Sequence, residues 1–324
     1  MAAVARLAGV SMMTVSRAIR EPAKVAGATR VRVAAAIRKL GYVPNLTAGS
    51  LASSRSRIIA AIVPTIDNSI FAETMRGLTE RLAAGGYQVL LGQTGYDEGA
   101  EEALVAAFLG RRVDGMVITG VNHSALTRQR LIQAAIPVIE TWDLTPHPID
   151  MVVGFSNRDA GRAMARYLLS KGYRRIGFAG GGDDRTRSRL AGFAAAIRRA
   201  RGASLSEVLL PAGTSFQGGR QALAQLLAGE PNLQAVFCSN DALAVGALME
   251  CRRRGIEVPR DLAIAGFADL DIAAEVTPTL TSVHVGARRI GEESARLMLA
   301  RLTGQAIAMP LLDMSFTIMA RESA

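Results

Sequence analysis

The 324-residue sequence contains few of the residues that build metal centres or disulfide frameworks. Its two cysteines, Cys238 and Cys251, lie apart from each other and from its three histidines. Separated cysteines are typical of a reducing compartment. No run approaches the roughly 18 apolar residues that span a membrane. Arg6 and Gly9 also interrupt the region where a signal peptide needs an apolar core. We therefore expect a cytoplasmic protein that uses no metal or cofactor.

The sequence also lacks the motifs of enzymes that share nucleotide-binding folds. No GxGxxG follows the first predicted strand, and GxxxxGK[ST], HExxH and GxSxG are absent. The glycines of Gly180–Gly182 follow a predicted strand, but three adjacent glycines are weak evidence for a phosphate site. We therefore predict that the protein is not an enzyme.

Acidic residues are almost missing from the start of the chain. Residues 1–57 contain ten Arg and Lys residues and one acid, Glu21, whereas residues 58–324 contain 28 basic and 27 acidic residues. A basic terminal module joined to a nearly neutral body predicts that the module binds a polyanion. A solvated basic tail is the alternative, but helical periodicity in the same segment favours a folded module.

The apolar residues of the basic module predict three short helices. Gly9 suits the turn after the first helix, and Ser11 suits the cap of the second, which begins at Met12. The third helix covers Thr29–Leu40 and is followed by Gly41. This is a helix-turn-helix pattern. The residues predicted to face inward are Val4, Leu7, Ala8, Val15, Ala18, Ile19, Val33, Ile37 and Leu40.

The second helix of such a unit enters the major groove of DNA. Arg17 offers two donors that suit guanine, whereas Thr14 and Ser16 suit phosphates. Met12 and Met13 lie at the leading end of the helix, where they can only offer apolar contact, for instance to a thymine methyl. Packing inside the module is an equal alternative for Met12. The predicted DNA contacts of this segment are Ser11, Met12, Met13, Thr14, Ser16, Arg17 and Arg20.

From Ile58 onward, short apolar strands alternate with helices as far as the strand at Leu262–Gly266. This alternation predicts parallel sheets that are covered by helices on both faces. A loop with two prolines interrupts it and divides the body into two halves with a cleft between them. We therefore predict an all-α helix-turn-helix head and an α/β body of two doubly wound parallel-sheet subdomains. The predicted boundaries are 1–44 for the head, 45–57 for a linker and 58–324 for the body.

Ligands of open parallel sheets bind beyond the carboxyl ends of the strands. The loop after one such strand contains Arg185, Arg187 and Arg189, and arginine pairs well with carboxylate or phosphate. The loop favours a sugar acid over a neutral sugar, whether all three arginines reach the ligand or only one does. Trp142 either stacks on a ligand ring or lines the domain junction. The predicted cleft residues are Ile70, Phe71, Glu140, Trp142, Asp143, Arg185, Arg187, Arg189, Phe216, Asn240 and Asp269.

Several segments, in order along the chain, resemble the lactose/galactose repressor family (LacI/GalR). The head contains AxLAGVSxxTVSRAI and TRxRVxxAIxKLGYxPN, and the body contains NSIFAETMRGL, FCSNDALAVGAL and DLAIAGFADLDIA. Shorter segments, ETWD, DMVVGFSN, DDRT and LLDMSFT, resemble the gluconate-operon repressors of that family. The resemblance implies a body like the periplasmic sugar-binding proteins, a homodimer on double-stranded operator DNA, and a sugar-like effector such as gluconate.

The same resemblance implies that Met12, Met13 and Arg17 read bases and that residues 45–53 form a hinge helix. Leu51 would wedge into the minor groove, and Asn45 and Ala52 would contact DNA beside it. An exposed leucine on a short polar segment has no core to enter, which agrees with a wedge. Without the resemblance, the segment is typical of an ordinary linker.

Four positions depart from the family pattern. The chain begins close to its first helix, Ala26 replaces a serine that caps the third helix, and Gly49 interrupts the hinge. In the body, Ala268 replaces an acid, and we expect the side chain of Asp269 to point elsewhere because it lies one residue later. We predict a DNA-binding regulator, a repressor controlled by a sugar acid. One alternative is a sugar-binding protein without regulatory DNA binding. Another is a family member that activates transcription, or that responds to a protein or a phosphorylated metabolite.

Overall fold

The computed structural model describes residues 1–43, 55–67, 69–211 and 215–324, without the side chain of Arg20. The chain separates into two compact units, residues 1–56 and 57–324. The predicted hinge contacts Asn45, Leu51 and Ala52 lie outside the described residues. Among those described, no single helix has the length and apolar content of a membrane span. The helix pair Ala2–Ala8 and Met12–Ile19 meets both criteria only when the two are joined across their 96° bend.

The first unit is a helix-turn-helix head with helices α1 (Ala2–Ala8), α2 (Met12–Arg20) and α3 (Gly27–Leu40). Gly9 ends α1 in the left-handed conformation (φ 61°), and the Ser11 hydroxyl accepts the Thr14 N–H to cap α2. The turn at Gly9 and the cap at Ser11 are therefore confirmed. Ala26 precedes α3 without a side-chain cap, as its departure from the family pattern predicts.

The head has a small core made from one face of each helix. Val4, Val15 and Val33 are buried in it, as predicted. Leu7 and Leu40 are instead 46% and 45% exposed, so the prediction for these two residues was wrong. The buried face of α1 centres on its valine and alanines, about a quarter turn from Leu7. Leu40 is the last residue of α3 and is not part of the head core, against which Ile37 and Tyr42 pack.

The second unit is an α/β body whose described strands form two six-stranded sheets. The first sheet has the strand order β11-β5-β4-β3-β1-β2, and the second has the order β12-β10-β9-β8-β6-β7. The strands are β1 (Ile58–Val63), β2 (Gln88–Gln93), β3 (Gly115–Thr119), β4 (Val138–Thr141), β5 (Met151–Gly154), β6 (Arg175–Gly181), β7 (Ser204–Leu210), β8 (Ala235–Cys238), β9 (Ala263–Ala268), β10 (Thr281–His284), β11 (Leu311–Asp313) and β12 (Thr317–Met319).

Helices cover both sheets. They are α4 (Ser69–Ala84), α5 (Glu98–Gly110), α6 (Ala125–Ala134), α7 (Asn157–Ser170), α8 (Asp184–Arg199), α9 (Phe216–Gly229), α10 (Asp241–Arg254), α11 (Asp271–Glu275) and α12 (Ala287–Leu302). All described strand pairs are parallel except β10 with β12. The predicted fold class is therefore confirmed, with one antiparallel edge strand added.

The two subdomains of the body are interleaved. The chain passes from the first to the second after β5, returns after β10, and passes again after β11. As a result, α12 packs against α4 although most of the second subdomain lies between them in the sequence. The carboxyl ends of the parallel strands of both sheets border the region between the subdomains.

Glycines allow three pairs of helices in the body to cross at backbone contact. At the crossing of α7 and α8, a Cβ on Gly161 would lie 2.0 Å from the Arg189 carbonyl oxygen. A Cβ on Gly192 would lie 1.8 Å from the Arg158 carbonyl oxygen. Neither position accepts any side chain without separation of the helices. The corresponding glycines of the other pairs are Gly77 and Gly291 for α4 with α12, and Gly219 and Gly246 for α9 with α10.

Asp241 is a fully buried carboxyl group at the start of α10. Its Oδ1 accepts the Ser282 hydroxyl hydrogen at 2.7 Å, and its Oδ2 accepts the Leu270 N–H at 2.7 Å. Burial raises the pKa of Asp241 from 3.8 to about 6, because loss of hydration disfavours the carboxylate more than these hydrogen bonds favour it. The folded protein therefore binds this proton more tightly than the unfolded chain does.

The stability of the body should depend on pH through Asp241. Its contribution is complete below pH 4 and is lost as the pH rises to about 6, because ionisation costs more in the folded state. We expect a loss on the order of 3 kcal/mol in the free energy of unfolding. Asp241→Asn should remove this component from urea unfolding curves between pH 4 and 7, whereas the exposed Asp271→Asn should keep it. Parallel pH profiles for wild type and Asp241→Asn would contradict the prediction.

Candidate functional site

The head presents a basic surface. Its only acid, Glu21, pairs with Lys24 at 3.0 Å. Between residues 1 and 43, the remaining basic residues with described side chains are exposed: Arg6, Arg17, Arg30, Arg32, Arg38 and Lys39. A surface with this charge attracts the phosphates of nucleic acid.

Helix α2 exposes the side chains that were predicted to read bases. Met12 and Met13 are 56% and 72% exposed, so Met12 does not pack inside the head. Arg17 is exposed, whereas Thr14 and Ser16 are half-buried. The hydroxyls of Ser11 and Thr14 lie 2.9 Å apart at the start of the helix. The side chain of Arg20 lies outside the described part of the chain.

A cavity of about 480 Å³ lies between the two subdomains of the body. Its walls are the segments after β1, β2, β3 and β4 of the first sheet and after β6 of the second. The Asn122 amide donates to the Asp184 carboxylate at 3.2 Å and so joins the two sides. The charged side chains that line the cavity are Asp97, Glu98, Glu101, Asp143, Asp183, Asp184 and Arg185, with His123 beside them.

Arg185 is the guanidinium that lines this carboxylate-rich cavity. Its Cζ lies 5.6 Å from the centre of the Phe71 ring, and its Nε lies 3.8 Å from Asp183 Oδ1. Burial raises the pKa of Tyr96 beside it, although the positive charge of Arg185 and a hydrogen bond from it oppose the shift. Asp183 caps α8, which orients this wall. Arg185 therefore offers a fixed, largely desolvated cation to a ligand.

Arg189 lies on the buried face of α8. Its Nη1 donates to Asn157 Oδ1 at 2.7 Å, its Nη2 donates to Thr186 Oγ1 at 3.1 Å, and its Cζ lies 4.0 Å from the Phe267 ring centre. Burial lowers the pKa of Arg189 to about 10, which leaves it charged at neutral pH. Among the described residues, none supplies a carboxylate within 4.0 Å of it, and its Nε has no hydrogen-bond partner.

The three arginines that were predicted to lie in a loop are instead part of the first turns of α8, and they have three different environments. Arg185 lines the cavity, Arg189 is buried, and Arg187 is exposed, with its Nε donating to the Gly182 carbonyl oxygen at 3.0 Å. Of the three, only Arg185 lines the cavity. That any of the three arginines contacts a ligand stays a prediction.

Asp143 also lines the cavity, and burial raises its pKa against the effect of hydrogen bonds from Leu144 and Asn157. Trp142, which precedes it, packs edge-on against Phe71 and Phe155, with ring centres 5.4 and 6.0 Å away. The indole therefore lies in the junction between the subdomains and not in the cavity wall. Ile70 is likewise buried in the core at the start of α4.

Four other predicted cleft residues are engaged elsewhere. The Glu140 carboxylate is buried and accepts the Ile149 N–H at 2.5 Å, and the Asn240 side chain caps α10. Phe216 is 47% exposed at the start of α9. Asp269, in a left-handed conformation (φ 56°), pairs with Arg321 at 2.6 Å and His284 at 3.0 Å. These four residues do not line the cavity.

Several residues that line the cavity were not among the predicted cleft residues. Tyr96, Asp97 and Glu101 follow β2, and Asn122 and His123 follow β3. His123 is buried, and its Nδ1 lies 2.9 Å from the Glu101 carboxylate. The rule that ligands bind beyond the carboxyl ends of strands identifies both segments, but nothing in their residue types separates them from ordinary loops.

Comparison with known proteins agrees with this two-part architecture. Residues 1–45 match the family described as bacterial regulatory proteins, lacI family, and residues 165–324 match the periplasmic binding protein-like domain. The chain is 37% identical over 316 residues to the HTH-type transcriptional regulator GntR of Escherichia coli strain K12, with 97% of this chain and 95% of that protein covered.

Solved structures show the same relationship. A LacI family transcriptional regulator from Silicibacter pomeroyi matches with a TM-score of 0.92 and 34% identity, over 99% of this chain and 98% of that one. The transcription regulator GntR from Chromobacterium violaceum matches with a TM-score of 0.79 and 42% identity, over 82% of this chain and 98% of that one. These relatives are regulators of transcription and not enzymes. With its helix-turn-helix head and two-subdomain body, this chain belongs to the LacI family of DNA-binding transcriptional regulators.

Proposed function

We propose that this protein is a transcriptional repressor whose affinity for operator DNA is controlled by a sugar acid such as gluconate, bound between the two subdomains of the body. The observation that carries the proposal is the place of Arg185 in the cavity wall. A guanidinium held by neighbouring groups pairs strongly with a carboxylate. The similarity to GntR regulators supports a ligand of the gluconate class.

The carboxylates of the cavity suit the rest of such a ligand. Asp97, Glu98 and Asp184 accept hydrogen bonds, which the hydroxyls of a polyol chain donate. A single cation among many acceptors favours a ligand with one acidic group and several hydroxyls. Arg189, a buried cation without a described carboxylate partner, is a second anchor if the subdomains close on the ligand.

In the proposed mechanism, residues 1–44 bind DNA, residues 45–57 connect them to the body, and residues 58–324 bind the effector and dimerise. Helices α4 and α10 are the proposed dimer contacts; Met249 of α10 is 47% exposed, which agrees with a partner there. Effector binding would change the angle between the subdomains and separate the two connecting segments. Operator DNA must then lower effector affinity by the same factor as the effector lowers operator affinity.

A thermal-shift screen tests the ligand class first. A ligand that binds only the folded state raises the melting temperature of the protein. Gluconate and related sugar acids should therefore raise the melting temperature more than neutral sugars do. The responding acid is then added to an operator-binding assay, where it should weaken binding. Shifts with neutral sugars alone would refute the carboxylate argument, and equal operator affinity with and without the acid would refute the proposed control.

Arg17→Ala should reduce base specificity more than overall affinity. An arginine that bonds one guanine contributes roughly 1–3 kcal/mol of discrimination, so we expect about a tenfold to hundredfold loss. Dissociation constants are measured at fixed salt for an operator selected from random duplexes and for its base-substituted versions. Arg38→Ala, at an exposed position of α3, is the control and should affect all sequences alike. An unchanged base preference in Arg17→Ala would contradict the prediction.

A further inference from the structure

We propose that Asn157 is a positioning residue that couples Arg189 in the second subdomain to the turn at Trp142 and Asp143 in the first, where Asp143 lines the cavity. The part of this role that concerns ligand binding rests on the proposed function, because it requires an anionic ligand in the cavity that interacts with Arg189. The coupling in the ligand-free protein does not depend on that function.

Asn157 lies where the chain passes between the subdomains. It is the first residue of α7, directly after the crossing from β5, and it is 0% exposed. Its Nδ2 donates to the Trp142 carbonyl oxygen at 2.8 Å, and its Oδ1 accepts from Arg189 Nη1 at 2.7 Å. Arginine can only donate and a carbonyl can only accept, so the two contacts fix the orientation of the amide.

The contact with Trp142 supports an unusual backbone. Trp142 has a left-handed conformation (φ 74°), which is sparsely populated for a bulky residue and needs support from its surroundings. Asn157 bonds its carbonyl oxygen and also donates to the carboxylate of Asp143, which lines the cavity. The wall rests closely on β5, since a Cβ on Gly154 would lie 2.2 Å from the Asp143 carbonyl oxygen. The Asn157 side chain thus holds the backbone of a turn that packs closely against β5.

The contact with Arg189 depends on the crossing of α7 and α8. Gly161 and Gly192 bring the two helix backbones together there, which places the guanidinium beside the Asn157 amide. Arg189 has neutral hydrogen-bond partners, Asn157 and Thr186, and stacks on Phe267. An anion that approaches this guanidinium competes with Asn157 Oδ1 for Nη1. The freed amide then loses the contact that fixes its orientation towards Trp142.

Trp142 is the only tryptophan in the sequence, so its fluorescence reports on this turn alone. In ligand-free Asn157→Ala we expect emission at longer wavelength and greater quenching by acrylamide than in the wild type. Ser156→Ala is the matched control: it removes the cap of α7, leaves the Asn157 amide in place, and should keep wild-type emission. Wild-type emission and quenching in a folded Asn157→Ala would overturn the proposal.

Two further variants keep the test decisive if Asn157→Ala does not fold. Asn157→Asp retains an acceptor for Arg189 but loses the donor to Trp142, so its emission should shift. Arg189→Met should shift emission in the same direction through the freed amide. Combined with Asn157→Ala, it should add no further shift, because coupled residues act non-additively. Unchanged emission in Asn157→Asp, or additive shifts in the double variant, would also overturn the proposal.

Titration with gluconate separates the proposal from the function on which it rests. Because Asn157 Oδ1 competes with the anion for Arg189 Nη1, calorimetry should show about tenfold tighter binding to Asn157→Ala, the effect of one hydrogen bond to a charged group. Gluconate should shift Trp142 emission in the wild type but not in this variant. If gluconate and other sugar acids do not bind the wild type, the proposed function fails, and the ligand-free emission still decides the role of Asn157. An equal gluconate-induced emission shift in both proteins would contradict the coupling.

Discussion

Gly192→Val should lower the free energy of unfolding of the body by about 4 kcal/mol or more, which would make it one of the most damaging substitutions in the chain. The reason is the crossing of α7 and α8, where even a Cβ would lie 1.8 Å from the Arg158 carbonyl oxygen. The obstacle is backbone, which cannot rotate away as a side chain can. The helices must separate, and the buried contacts between them are lost. Urea unfolding followed by circular dichroism measures the change.

Gly229→Ala is the control for this prediction. Gly229 lies at the end of α9 in the same subdomain, and a Cβ there would meet nothing within 4 Å. Alanine is a better helix former than glycine by about 1 kcal/mol, so this variant should be neutral or slightly stabilised. Gly192→Ala should lie between the two variants. A Gly192→Val protein as stable as the wild type would show that the crossing can widen without cost.

Arg185→Met should weaken gluconate binding by about 100-fold while the protein remains folded. Removing one partner of a buried charge pair costs roughly 2–5 kcal/mol, and each 1.4 kcal/mol corresponds to a tenfold change in the dissociation constant. The side chain of Arg185 is only 12% exposed, so water screens its charge weakly. Methionine preserves much of the apolar contact with Phe71. Isothermal titration calorimetry gives the affinity.

Arg187→Met is the matched control in the same helix. Arg187 is exposed and does not line the cavity, so its loss should leave gluconate affinity within about twofold of the wild type. Operator binding without effector should be unchanged in both variants. Equal losses in the two variants would indicate a general effect of positive charge. A loss in Arg187→Met alone would mean that the wrong arginine has been assigned to the ligand.

The body fold is largely predictable from the sequence because its central strands are buried on both faces. β1, with the sequence IIAAIV, is one such apolar run. β11 and β12 carry no comparable signal, since each has three residues and is only partly buried. Their places at the sheet edges depend on pairing with β5 and β10, which lie far away in the sequence. Local pattern cannot supply that information.

The site is less predictable, because a strand end locates a cavity but does not orient its side chains. Asp143 and Arg185 follow strands and line the cavity, as the rule suggests. Asp269 also follows a strand, but its left-handed backbone directs the carboxylate to Arg321. Arg189 and Asn157 meet only because two helices cross at glycines, and no spacing in the sequence reveals this contact.

The interleaved order of the body has a consequence for its synthesis. The first sheet lacks its edge strand β11 until residue 313 has been made, and α4 lacks its partner α12 until residue 302. One hydrogen bond of this pairing, from Thr74 Oγ1 to the Ala287 carbonyl oxygen, spans 213 positions. Contacts of such long range slow folding and leave apolar surface open on the growing chain. When a ribosome stalls before residue 287, the first subdomain of the nascent chain therefore lacks both α12 and β11 and cannot complete its fold.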